Sequence, residues 1–150
     1  MIMRRSRARE VALQVLYQLE QNTGTTPENI RLFIERRLLG DRELREFTEA
    51  LTQGVRDNLS RIDALISGVA ENWRIDRMAA IDRNILRIGV FEMLFRPQTP
   101  PKVAINEALE LAKRYSTAQS SRFVNGILDR ILQEQSPDVA PPDPDRSSDA

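Results

Sequence analysis

The side chains able to do chemistry in this chain are arginines and carboxylates. Four arginines fall close together at the front, Arg4, Arg5, Arg7 and Arg9 in MIMRRSRARE, although 22 basic residues balance 22 acidic ones over the whole chain. The planar guanidinium fork suits phosphate and carboxylate recognition. Only Lys102 and Lys113 are lysine. A G- and C-rich genome accounts for the arginine total as readily as function does, so the clustering is the evidence and the total is not. On a helix, Arg4 and Arg7 form one row and Arg5 and Arg9 another. Cations at a helix N-terminus oppose its dipole. A frayed basic arm that tightens on phosphates therefore fits better than a structural role. The plainer alternative is a solvated helix start. Such an arm alone gives salt-sensitive, largely sequence-blind attraction.

Other candidates are weaker. Phe123 sits at the edge of an apolar stripe beside Arg122, a platform on which an unpaired base could stack or simply a packing residue at the core's rim. Tyr17 projects away from the Ala8/Ala12/Val15/Leu19 stripe in a row with Leu13, so either another helix covers that side or Tyr17 builds a partner surface. Asp82, early in a nearly all-apolar segment, could balance Arg83 or another arginine, favour the helix dipole, or meet a basic partner. Glu107 and Glu110 share a helix with Lys113 and Arg114, where Glu110–Arg114 reads as an ordinary solvated pair.

Several classes are excluded. Without histidine or cysteine the chain lacks the commonest general base and imidazole or thiolate metal ligands. Phosphate-cradling glycine loops, the dinucleotide fingerprint and the nucleophile elbow are absent. No metal-ligand cluster stands out, and no cofactor is implied. No apolar run approaches the roughly 20 residues that span a bilayer, and the apolar segment behind the arm is broken by Gln14, Gln18 and Glu20, unlike a signal peptide. These features read as cytoplasmic.

The elements that must position these residues are helices. Sustained period-two alternation is lacking, whereas 3.6-residue spacing recurs. The pattern predicts a helix from about Arg5 to Gln21, a second begun by Thr26-Pro27-Glu28 and ending near Gly40, and a long third capped by Asp41, with a kink near Gly54 or Asn58. Asp76 should cap a central, most buried helix holding IDRNILRIGVFEMLF. Prolines at 97, 100 and 101 break it. A helix from about Lys102 to Tyr115 follows, then a capping box from Ser116 to Gln119 opens a last helix ending near Gln135. Asn125-Gly126 is a hairpin dipeptide, but Val124, Ile127, Leu128 and Ile131 keep helical spacing through it. A glycine there costs about 1 kcal/mol against alanine, which close approach of another helix or a ligand would justify. Residues 136–150, acidic and proline-rich, read as a disordered tail.

Three segments together, RRSRAREVALQVLYQLE, IDRNILRIGVFEM and KVAINEALELAKRYSTAQSSRFVNGILDRI, resemble the NusB family of bacterial transcription antitermination factors, in order and spacing over most of residues 4–132. The resemblance implies an all-α fold of about seven helices in two packed three-helix bundles, with lobes about 1–72 and 73–135. It implies binding of boxA RNA together with the ribosomal protein NusE, in an RNA polymerase complex with other Nus factors. By motif, Arg4, Arg5, Arg7, Arg9, Arg122, Phe123 and Asn125 would face RNA, while Tyr17, Asp82, Pro101 and Lys102 would face NusE. Gln119 stands where some relatives carry an acid. Monomer and homodimer both remain open. Two other readings stand beside this one. A similar helical domain precedes the catalytic domain of some ribosomal RNA cytosine methyltransferases, but that enzyme needs a cofactor domain and a catalytic cysteine. A purely structural dimerising bundle leaves the arm unexplained.

Overall fold

The computed structural model describes residues 4–70 and 74–139, with side chains to residue 135. These residues form seven α-helices and no strand: α1 (Arg4–Gln21), α2 (Pro27–Leu38), α3 (Arg42–Asp57), α4 (Leu59–Val69), α5 (Ala80–Val90), α6 (Pro101–Tyr115) and α7 (Ala118–Val139). Helices α1, α2 and α3 make one three-helix bundle and α5, α6 and α7 the other; α4 lies against α5 and α7. Contact between α1 and α5 joins the two.

Local chemistry sets most boundaries. The Thr26 side chain accepts from the Asn29 amide at 3.1 Å and Asp41 from the Leu44 amide at 3.1 Å, as N-caps should. Leu39 and Gly40 both take positive φ, 52° and 77°, and end α2 with a left-handed turn. The long third helix is two. Asn58 turns its side-chain amide onto the Gly54 carbonyl at 2.8 Å, competing with helix continuation, and α4 starts behind it.

Three expectations need correction. Asp76 caps nothing: it lies in a 3-10 turn (Ile75–Arg77) and pairs with Arg74, while α5 begins at Ala80. The cap of α7 is Thr117, whose hydroxyl accepts from the Ser120 amide at 3.0 Å, rather than Ser116. Helix α7 runs to Val139, past the expected end at Gln135 and into the segment read as tail. The remaining tail and the expected lobe junction at 72/73 lie outside the described residues.

Helix α5 is central, as its composition requires. Ile85, Leu86, Ile88 and Val90 are buried, and a π-helical turn, Phe91–Phe95, carries it to Pro97. Its buried polar residues Asn84, Arg87 and Glu92 are each paired. Arg87 forms a two-pronged bond with Asp63 of α4, at 2.9 Å for each prong, and Asn84 donates to Glu20 of α1 at 2.6 Å. Glu92, in the π turn, receives Arg9 of α1. Since Glu20 ends α1 and meets the start of α5, while Arg9 meets its far end, α1 and α5 are antiparallel. Helix α7 runs parallel to α5: Ser120 meets Asp82 and Leu128 meets Gly89.

Candidate nucleic-acid interface

The arm begins in helix. Arg4, Arg5 and Arg7 stand at least partly in solvent, and acids from neighbouring turns offset the unfavourable dipole. Arg4 reaches Asp41 at 2.5 Å, Arg5 lies 3.9 Å from Glu43, and Arg7 meets Glu10 at 3.1 Å. The Arg4 contact holds the Asp41 carboxyl below its ordinary 3.8, helped by backbone N–H donors of α3. The Arg4 and Arg5 pairs are exposed and contribute little, so a phosphate can displace their carboxylates at little cost, whereas Glu10, the partner of Arg7, is buried. The expected fray is therefore replaced by a helical start with exchangeable partners; residues 1–3 lie outside the described ones.

Arg9 is not part of that surface. It is 5% exposed, with two nitrogens on Glu92 at 2.6 and 2.7 Å and a third 3.3 Å from Glu107. Burial opposes its charge, but the bonds and attraction to Glu92 and Glu107 outweigh burial and hold the guanidinium above its ordinary pKa. Glu92 is itself 1% exposed and also accepts from the Thr99 hydroxyl at 3.2 Å. A phosphate would have to break this network, so the expectation that Arg9 grips RNA is corrected: Arg9 bridges α1, α5 and α6. Glu107, read as solvated, is half-buried in the same network and accepts from Ser6 at 2.6 Å. Arg114 leaves Glu110 for Glu10 at 2.6 Å.

At the other end of α5, a cleft of about 350 Å³ is lined by Met78, Ala79, Asp82, Thr117, Gln119, Ser120 and Phe123. One Asp82 oxygen accepts from the Ser120 hydroxyl at 3.0 Å; the other is buried without a hydrogen-bond partner. Arg83 does not balance it, being held by Glu20 at 2.9 Å and by the Ile75 and Met78 carbonyls. Phe123 is half-buried and packs on the core's edge. Thus Asp82, expected towards a protein partner, shares a cleft with Phe123, expected towards RNA. Arg122 and Asn125, within one turn of Phe123 on α7, are exposed.

The arm and this cleft are not one patch. Asp82 and Glu92 mark opposite ends of α5, roughly 15 Å apart at 1.5 Å per residue. Of the other residues, Tyr17 is 38% exposed although Leu13, one turn earlier in its row, is buried; Pro101 and Lys102 are exposed at the start of α6. At Gly126 no helix comes near among the described residues: a Cβ there would meet none of their atoms within 4 Å. Close approach occurs at Gly54 instead, where a Cβ would fall 2.1 Å from the Phe91 ring. Sequence reading missed Glu10 and Glu92, the acids that organise the arm's end. The signal for Glu92 was a lone carboxylate inside an apolar run, which demands a buried partner.

These features define an all-helical protein with a basic helix start and an aromatic-rimmed cleft, and among the described residues no helix is long and apolar enough to cross a membrane. Residues 6–133 match the NusB family, and the chain belongs to it. Transcription antitermination protein NusB of Myxococcus xanthus is 47% identical over 130 residues, 85% of this chain and 93% of that protein. NusB of Sorangium cellulosum is 43% identical, covering 86% and 91%. Among solved structures, T. maritima NusB superposes with a TM-score of 0.78 at 39% identity over 89% of this chain and 94% of that one. A structure of antitermination factors NusB and NusE in complex with dsRNA superposes with a TM-score of 0.79 at 27% identity, over 89% and 99%.

Proposed function

We propose that this chain is a non-enzymatic, cytoplasmic transcription antitermination factor that binds boxA RNA jointly with NusE. Loaded with other Nus factors onto RNA polymerase, it favours processive transcription of ribosomal RNA operons. The observation that carries this reading is the match to antitermination proteins over more than nine-tenths of their length. The likeness to a NusB chain solved with NusE and RNA supports the choice of partners. On this reading Arg4, Arg5 and Arg7 hold the strand's phosphates, and Phe123, with Arg122 and Asn125, engages a base. Tyr17, Pro101 and Lys102 belong to the NusE side. Asp82 stands where the two meet.

The roughly 15 Å of α5 between Asp82 in the cleft and Glu92 beneath the arm's end suits an extended strand of several nucleotides laid along the α5 axis, touched at both ends. The test is a salt-series titration of boxA RNA and a scrambled control, with and without NusE. NusE should tighten boxA binding more than the control. Replacing Arg4, Arg5 and Arg7 with alanine should lower the slope of log K on log salt by about 0.7 per lost phosphate contact. Equal binding of both RNAs with NusE present, or an unchanged slope, refutes the corresponding part.

A further inference from the structure

Three guanidinium groups converge on one ring at the arm's end of the molecule. The central carbons of Arg5, Arg9 and Arg96 lie 4.7, 5.1 and 4.9 Å from the centre of Phe47. Arg9 is neutralised by Glu92 and Glu107. Among the described residues, the acid paired with Arg5 is Glu43, at 3.9 Å and 63% exposed. Arg96, in the loop between the π-helical turn and α6, has no ion pair among the described residues, and its buried Nε donates to nothing. Burial pulls its pKa down, Glu92 opposes this, and the nearby charges of Arg5 and Arg9 lower it further.

A buried charged donor left empty is costly, and a neighbouring cation adds to the cost. Stacking on Phe47 offsets part of it. An oxyanion held at this cluster would offset the rest, since arginine binds phosphate through paired N–H donors. The central carbons of Arg5 and Arg96 both lie within 5 Å of one ring centre, so the unpaired Arg96 belongs to the same basic cluster as the arm.

We propose that Arg96, with Arg5 stacked on the same Phe47 ring, grips a phosphate of the bound RNA strand and extends the arm's track onto the loop before α6. This rests on the RNA-binding reading above. RNA is favoured over a protein carboxylate because Arg5 sits in the same helix start as Arg4 and Arg7, so the new contact continues that phosphate track.

The test uses the full chain with labelled single-stranded boxA RNA and a scrambled control, comparing wild type with Arg96→Gln, Arg5→Gln and Arg96→Lys over a salt series. Arg96→Gln should make the slope shallower by about 0.7 and weaken both RNAs alike, by about fivefold at 0.1 M salt relative to 1 M, as one contact on a single strand accumulates. Arg5→Gln should flatten it similarly, whereas Arg96→Lys, which keeps the charge, should retain the slope. A merely structural role would shift the unfolding midpoint and leave the slope unmoved. Wild-type slope and affinity in Arg96→Gln overturn the site while the RNA reading survives; absence of RNA binding by the wild type, with NusE supplied, overturns both. Weakened NusE binding with intact RNA binding assigns the pair to a protein carboxylate and overturns the proposal.

Discussion

Removing Arg9 should damage the fold and leave the salt dependence of RNA binding almost untouched. Arg9 and Glu92 are 5% and 1% exposed, bonded through two prongs at 2.6 and 2.7 Å, and 83 residues apart in sequence. Deleting one member of a buried pair strands the other charge, at a cost of about 3–5 kcal/mol. Glu107 does not rescue the situation, because Arg9→Ala leaves both Glu92 and Glu107 without this cation; among the described residues, the Thr99 hydroxyl is then the remaining hydrogen-bond donor to the Glu92 carboxylate. For a domain of this size that loss lowers Tm by roughly 10 °C or more. Glu92→Gln should cost less than Arg9→Ala, since Arg9 keeps Glu107 at 3.3 Å. The double replacement Arg9→Met with Glu92→Leu should recover much of the loss, because two apolar groups leave no stranded charge. Urea unfolding gives the stabilities, and the RNA salt series, run well below the lowered midpoint, gives the slope. An Arg9→Ala protein as stable as wild type but with a shallower slope would refute the buried-bridge account and return Arg9 to the arm.

Phe123→Ala should weaken RNA binding by about 1–3 kcal/mol if its ring stacks on a base, in a titration against wild type. Because the ring is only half-buried, its stability loss should stay below the roughly 3–5 kcal/mol of a core phenylalanine; a larger loss with unchanged affinity makes it a packing residue. Gly54→Ala and Gly126→Ala should act in opposite directions in urea unfolding. The first drives a Cβ into the buried Phe91 ring and should destabilise by about 1–3 kcal/mol, whereas the second fills open space on a helix and should stabilise by up to about 1 kcal/mol. Finally, the Asp41 carboxyl, depressed by Arg4, should titrate below its ordinary 3.8. A depressed pKa adds stability that is full above the unfolded value and lost as pH falls through the folded one. The α1–α3 tie should therefore loosen only in acid below about pH 4, and an NMR titration of Asp41 at or above 3.8 would sink it.

What the chain discloses on its own follows the range of each interaction. Thr26 and Asp41 were legible as caps because the bonds they make close within three residues. The long third helix was half-legible: Asn58 was a suspect, but that its side chain would fold back onto Gly54 is a choice between two local hydrogen bonds. Arg9 was misplaced for a different reason. Its neighbours Arg4, Arg5 and Arg7 advertised an exposed arm, while its own helix row runs through Leu13 and Leu16, both buried. That row was the better guide. A charged residue on an apolar row and a lone acid such as Glu92 in an apolar run each call for a buried counterion, and together they nominate each other across the sequence. The glycines mark where this kind of reading ends. Gly54 and Gly126 are both mid-helix and carry the same local cost, yet one is demanded by Phe91 and the other meets nothing among the described residues. Only the placement of a second helix separates them. A helix glycine without an internal reason, beside exposed Asn125 and Arg122, is the kind of position that a ligand's close approach would explain.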